Sequence, residues 1–390
     1  MAGLGASQAA SLTGEQLVGL SESQVGGLSG GFLAALGATA LSALNATQMA
    51  RLSTAQLQSL TSTQIGALST TDFAEFSATQ VNGLTASQLG ALSTTNLTSL
   101  STTALAGLSA TQFGGLTTTQ LAALPDSAVR ARIGQLTPSQ IGGVSGTLIA
   151  SLSSTDIAEL SASQIGALSP TAFAALGTSG LAGLTTTQLT GLSTTQVGGL
   201  DASGFGSFSV TQVAALSAPQ IGAVRGEILS AMDATQFARL TTAQVRGLTA
   251  SQIEKFSAAD IGEITATQIG ALSAEQVENF SAADISALTA TQVAALSAVQ
   301  ISALTSVQLR GLNATDVAEL SRTQIGGLTT GQIGALSLTA IGALSNDQFG
   351  GLTATQVRGF TADQLASLGV GGLARLSGPQ LGALTTFFFF

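Results

Sequence analysis

Cysteine, histidine, tryptophan and tyrosine are all missing from the 390 residues. Their absence removes disulfides, thiol nucleophiles, imidazole acid-base catalysis and the commonest metal ligands together. Charge is scarce as well, at 8% of residues, against about 25% in an ordinary soluble protein. Eleven basic residues face twenty acidic ones for a net charge of −9, and Lys255 is the only lysine. No basic stripe exists to neutralise phosphates, which argues against nucleic acid and anionic lipid as partners. Long apolar runs are also lacking. Mean hydropathy is positive at +0.46, yet Ser, Thr, Gln, Asn or Asp interrupts the chain every few residues, so no membrane span of about 18 residues can be drawn. The start, Met1 to Gln8, has no basic segment followed by an apolar run.

What the chain has instead is one period, repeated. Leu288, Leu296, Leu304, Leu312, Leu320, Leu328, Leu336, Leu344 and Leu352 recur every eight residues, in the pattern Leu-(Ser/Thr)-x-x-Gln-(Ile/Val/Leu)-(Gly/Ala)-(Gly/Ala). The anchor position is apolar in all 32 octads from Leu136 to Leu384 and in all 16 from Leu4 to Leu124. Such a repeat specifies a one-dimensional array, a solenoid whose units bury surface only against other units.

The residue five places after each anchor is apolar too, as at Leu17, Val25, Ile65, Val293 and Ile301. Steps of five and three would throw these residues onto opposite faces of one continuous strand. In one continuous helix the stripe would drift around the surface, since eight residues overrun two turns. A helix broken at every octad fits. Ser297 then sits at the N-cap, Gln300 completes a capping box by reaching back to the N-cap amide, and Leu296 with Ile301 forms the hydrophobic staple. Ser or Thr holds the cap position in 38 of 48 octads, and Gln the third position after it in 30. The expected fold class is therefore all-α, a solenoid or superhelix of very short helices, one per octad, with a β-solenoid as the alternative. Stacking in two zigzag rows would give about 24 layers spaced about 9 Å apart.

Four segments follow from the register: an array at 1–124, a lengthened unit at 125–135, a second in-frame array at 136–386, and the tail Phe387, Phe388, Phe389 and Phe390. The 12-residue unit from Leu124 places Val129, Ile133 and Leu136 at i, i+4 and i+7, the spacing of a helix longer by roughly one turn. The four phenylalanines are the candidate assembly contacts, because a solenoid without polar end caps exposes its core at both ends.

Chemistry is sparse. Lys255 and Ser257 form the one conceivable nucleophile pair, and Ser257 already has a capping role. Carboxylates such as Asp260, Glu263, Asp284 and Glu319 are dispersed, and the sequons at Asn45, Asn96, Asn279 and Asn313 are expected by chance in a chain so rich in Ser and Thr. The residues point to no enzyme, no cofactor, no metal and no small-molecule substrate. The stretch Leu-Thr-Ala-Thr-Gln-Val-Ala-Ala-Leu-Ser at 288–297 resembles the Leu-(Ser/Thr)-x-x-Gln octad arrays of large bacterial surface and adhesin-like secreted proteins. That resemblance implies an extracellular or cell-surface role, structural or adhesive, reached without an N-terminal signal. Combined with low charge and uncapped ends, it leads to an expected structural subunit of a filament or surface layer, partnered with copies of itself. A monomeric adhesin stalk is the alternative. Helical DNA-reading arrays also begin Leu-Thr-x-x-Gln-Val, but with a much longer unit and without this acidic balance.

Overall fold

The computed structural model describes residues 6–388, with side chains over 7–384. Among the described residues there is no strand, and 46 α-helices and one 3₁₀ turn follow one another in an all-α solenoid. The β-solenoid alternative is overturned.

Each octad builds its helix as the side chains dictate. At Ser297 the backbone is extended (φ −74°, ψ 159°). The Gln300 amide donates to Ser297 Oγ at 3.3 Å, and the Ser297 amide donates to Gln300 Oε1 at 2.7 Å. The helix Ala298–Ala303 then stops at Leu304, whose amide reaches Ile301 and whose own backbone is extended. One apolar residue thus ends a helix and serves as the staple of the next. Both apolar positions are buried: Leu296, Ile301, Leu304 and Leu309 are between 0% and 6% exposed. A helix of six residues is far below the length that survives alone in water, so this burial is what holds it.

Each unit of the array is stitched to others three and four octads away. Helix Ala266–Ala271 packs on Ala290–Ala295, three octads on. The Gln300 side chain, four octads on, donates from Nε2 to the carbonyls of Ile269 and Leu272, both at 2.9 Å. The coil therefore completes a turn in between three and four octads, much as an α-helix meets itself at i+3 and i+4. The two-row zigzag does not occur. Gln64 with Leu33 and Leu36, Gln188 with Ile157 and Leu160, and Gln348 with Val317 and Leu320 repeat the same bonds. Each such Gln closes its own cap with one end and bonds carbonyls at the C-terminus of an earlier helix with the other.

Where small residues precede an anchor, turns approach closely. A Cβ on Gly115 would lie 2.6 Å from the Ala86 carbonyl oxygen, and one on Gly247 2.6 Å from that of Ala218. Two glycines stand in the cap position for a different reason. Gly177 (φ 66°) and Gly369 (φ 59°) adopt the left-handed side of backbone space. Gly177→Ala is expected to lose roughly 1–2 kcal/mol, the cost of forcing a Cβ into that region, seen as faster amide exchange across Gly177–Ala182; unchanged exchange would contradict it.

The chain forms two compact units, one ending at Gly191 and the other beginning at Leu192. Within the first, the 12-residue segment is not a single longer helix. Asp126–Arg130 is helical, the backbone breaks at Arg132 (φ −132°, ψ 20°), and Ile133–Gln135 forms a 3₁₀ turn. The ladder shows what this is. Gln140 bonds the carbonyls of Phe113 and Leu116, 27 and 24 residues back rather than 31 and 28. Gln164 bonds Ile133 and Leu136 at the ordinary separations. The segment takes two steps of the coil with four residues missing: a full octad from Leu124, then one cut to Arg132–Gln135. Arg132 holds the anchor slot, and Ile133, fully buried, follows it directly in place of the residue five further on. The i, i+4, i+7 spacing of its apolar residues arises from this truncation.

Candidate functional site

The first and last described turns differ from those between them. In the first, Gln16 and Gln24 complete their capping boxes through Oε1. Their Nε2 groups meet no acceptor among the described residues, and both side chains are exposed, whereas Gln48 one turn later is 2% exposed and donates to Leu17, Val18 and Leu20. The anchors Leu12 and Leu20 are only half-buried there. In the last turn the other apolar position is uncovered. Leu365 and Leu373 are half-buried and Leu381 is 38% exposed, against 0–5% for Ile301, Leu309, Ile333 and Val293. One end thus offers anchors and amide donors. The other offers the second apolar row and helix C-termini, whose carbonyls are what ladder amides bond.

Of the candidate assembly contacts, Phe389 and Phe390 lie outside the described residues, and for Phe387 and Phe388 only the backbone, at the end of helix Gly378–Phe388, is described. Lys255 and Ser257 are engaged separately: Lys255 Nζ lies 3.6 Å from Glu227 Oε1, and Ser257 Oγ donates to Asp260 Oδ2 at 3.0 Å. Asn45 and Asn313 are helix caps. Asn279 donates to the Glu275 carbonyl. Asn96 is 1% exposed and stands in the glutamine slot, its Nδ2 donating to the Leu68 carbonyl at 2.9 Å. One methylene shorter than Gln, it leaves Oδ1 buried without a partner. Asp260, in the same slot, accepts from Ser230 Oγ at 2.7 Å, so a hydroxyl donor takes the place of the carbonyl acceptors where a carboxylate stands.

The truncated octad leaves a cleft that sequence reading did not foresee. Where its first turn is missing, Leu105, Ala106, Phe113, Pro125, Ala128 and Arg132 line a cavity of about 230 Å³. The Arg132 guanidinium lies 5.6 Å from the Phe113 ring centroid. Its Nη1 donates to Gln135 Oε1 at 3.0 Å, and its Nη2 to the Ala106 carbonyl. The signal was present in the sequence as an arginine eight residues after Leu124, at the one anchor slot that is not apolar.

Two carboxyl groups respond to their surroundings in opposite directions. Asp156 is held below the usual range, first by the Ser153 hydroxyl and amide, both at 2.7 Å, and then by Arg130 at 3.0 Å. Its stabilising contribution is present above the unfolded-state pKa and is lost as pH falls through the lower folded value. Acid should therefore loosen helix Asp126–Arg130 from Ser154–Ala158, read as faster local amide exchange. Glu75 is pushed up by burial and by Asp72 beside it, and its Oε2 is buried without a partner. Here the charged form opposes folding. Glu75→Gln should raise the unfolding midpoint at neutral pH, and the gain should vanish in acid; an equal gain at both pH values would contradict this.

Among the described residues no helix is long and apolar enough to cross a membrane, and no group of three or more acidic side chains converges as a metal site would require. Two stretches, 65–102 and 301–338, match the model of the ALTTAQ repeat family. Each lies within one of the two units. Gly-Leu-Thr-Thr-Gly-Gln at 327–332 shows the likeness, placing a small residue, the anchor, the cap and the ladder glutamine in order. The repeat family is supported to that extent. No curated protein matches the chain.

Proposed function

We propose that this protein is a structural subunit that stacks end to end on copies of itself into an extracellular bacterial filament or surface layer. The observation that carries the reading is the complementarity of the two end turns. One leaves Gln16 and Gln24 exposed with Leu12 and Leu20 half-buried, and the other leaves Leu381 exposed with Leu365 and Leu373 half-buried. In the interior the corresponding amides bond carbonyls of an earlier turn, and both apolar rows are buried. A second copy seated in register would continue the glutamine ladder and bury both rows. Heterologous contacts propagate as fibres when the rotation between copies does not close a ring. Low charge favours the same outcome, since only 8% of residues are charged to keep copies apart. The location outside the cell rests on the resemblance of the octads to surface-protein arrays.

Negative-stain electron microscopy tests it. Full-length protein should form filaments. Leu381→Asp, which places a charge in the proposed contact, and deletion of Phe387 to Phe390 should each raise the concentration needed for assembly at least about tenfold, equivalent to about 1.4 kcal/mol per contact. Isolated particles at all concentrations in the unaltered protein would overturn the filament reading in favour of a monomeric stalk.

A further inference from the structure

We propose that the cleft at the truncated octad binds a small carboxylate carrying an apolar body about one ring in size. Most of its wall is apolar: Leu105, Ala106, Phe113, Pro125 and Ala128. Its volume of about 230 Å³ exceeds the roughly 150 Å³ of an apolar cavity known to take up benzene, leaving room for a ring and a short arm.

The cleft also carries one full positive charge. Arg132 stands where every octad has a hydrophobic anchor, and no carboxylate pairs with it among the described residues. Four of the ten other cations differ in this respect. Arg51, Arg130, Lys255 and Arg322 each have an acidic partner. Arg225 and Arg246 spend their guanidinium groups on helix-end carbonyls. Arg375 also lies over a phenylalanine, Phe349, at 4.1 Å, and donates to Asn346 Oδ1 and to the Leu344 carbonyl. At Arg132 the carbonyl of Ala106 and the Gln135 amide oxygen fix the guanidinium in place. Five N–H donors in a rigid fork are not exhausted by those two acceptors. A preset guanidinium beside an apolar wall recognises an anion whose remainder is hydrophobic, because Arg binds carboxylate through paired hydrogen bonds at little entropic cost.

The deletion explains how such a site arises in a repeat array. An intact octad would fill this space with its own anchor and first turn. The missing four residues remove that filling, and Arg132 replaces the anchor by a cation at the edge of the vacated volume. This reading is independent of filament assembly, since the cleft lies within the first unit and shares no residue with either end turn.

The test compares 3-phenylpropionate with its neutral isostere 3-phenylpropionamide, titrated by calorimetry or ligand-observed NMR into the full-length protein. The acid is expected to bind with a Kd below about 1 mM, and the amide at least about tenfold more weakly. Arg132→Gln should abolish the preference for the acid while leaving the weak binding of the amide. Ala128→Phe should fill the cleft and abolish both. Absence of saturable acid binding, or equal affinity for acid and amide in the unaltered protein, would overturn the proposal. Because that comparison needs no variant, misfolding of either mutant does not rescue the idea.

Discussion

Gln300→Leu should cost about 4 kcal/mol, from two separate losses. The first is the cap: the Ser297 amide, now bonded to Gln300 Oε1 at 2.7 Å, loses its acceptor. The second is the ladder: the Leu272 carbonyl loses its donor and the Ile269 carbonyl one of its two. Burial makes this expensive. Gln300 is 3% exposed, and leucine fills the same volume without admitting water, so the Ser297 amide and the Leu272 carbonyl are left dry at about 1–3 kcal/mol for a typical unsatisfied group, while the Ile269 carbonyl keeps only the Leu272 amide. Gln300→Ala should cost about half as much, because the smaller side chain leaves space for a water to serve the same groups. The array tolerates some turns of this kind: Ala104, Ala172 and Ala340 occupy the same slot. Local amide exchange is the fitting measurement, since an array opens piecewise and a single unfolding energy is ill-defined. Faster exchange should appear in two separated segments, 266–272 and 296–303. Acceleration confined to 296–303 would mean that the capping box matters and the ladder does not.

The second large effect concerns the spacing between turns. Gly359→Val should destabilise by about 3 kcal/mol or more, since overpacking at a site that cannot relax falls at the upper end of its usual range. A Cβ there would lie 2.1 Å from the Thr330 carbonyl oxygen and 2.9 Å from its carbon. Both are backbone atoms of a helix three octads back, so relief requires separating two turns of the coil. Gly342 provides the control. It sits inside helix Leu338–Ala343 with nothing within 4 Å of its Cβ position, and Gly342→Ala should gain up to about 1 kcal/mol of helix propensity. Local amide exchange would decide the matter, read across 330–335 and 354–359 for the first variant and across 338–343 for the second. A Gly359→Val protein as stable as its parent would mean that the turns are held less tightly than the contacts imply.

Much of the local structure is legible in the octad itself. Ser or Thr at the cap, Gln three residues on, and apolar residues on either side are all read from neighbours within eight positions, and the structure repeats them as caps, boxes and staples. The failure of the two-row arrangement has an equally plain cause. Two, three or four octads per turn all require the same apolar slots, so periodicity cannot distinguish them. The second role of glutamine was hidden for the same reason. Its Oε1 bonds within the octad and follows from sequence spacing, whereas its Nε2 finds carbonyls 28 to 31 residues away. Asp126 to Gln135 shows the limit most clearly. Its apolar spacing equally suits one longer helix or a helix followed by a truncated octad, and only the shortened ladder separations from Gln140 choose between them.

What the sequence alone determined was therefore the unit: where each helix starts, why it stops after about six residues, and which two side chains it buries. Those outcomes depend on hydrogen bonds and contacts of short range, which the order of residues specifies directly. Only the tertiary structure decided which octads meet, that the buried glutamines tie turn to turn, and that a four-residue deletion opens a cleft beside Arg132. These depend on how successive helices rotate about the core, and that rotation is the sum of many small packing angles set by no single residue.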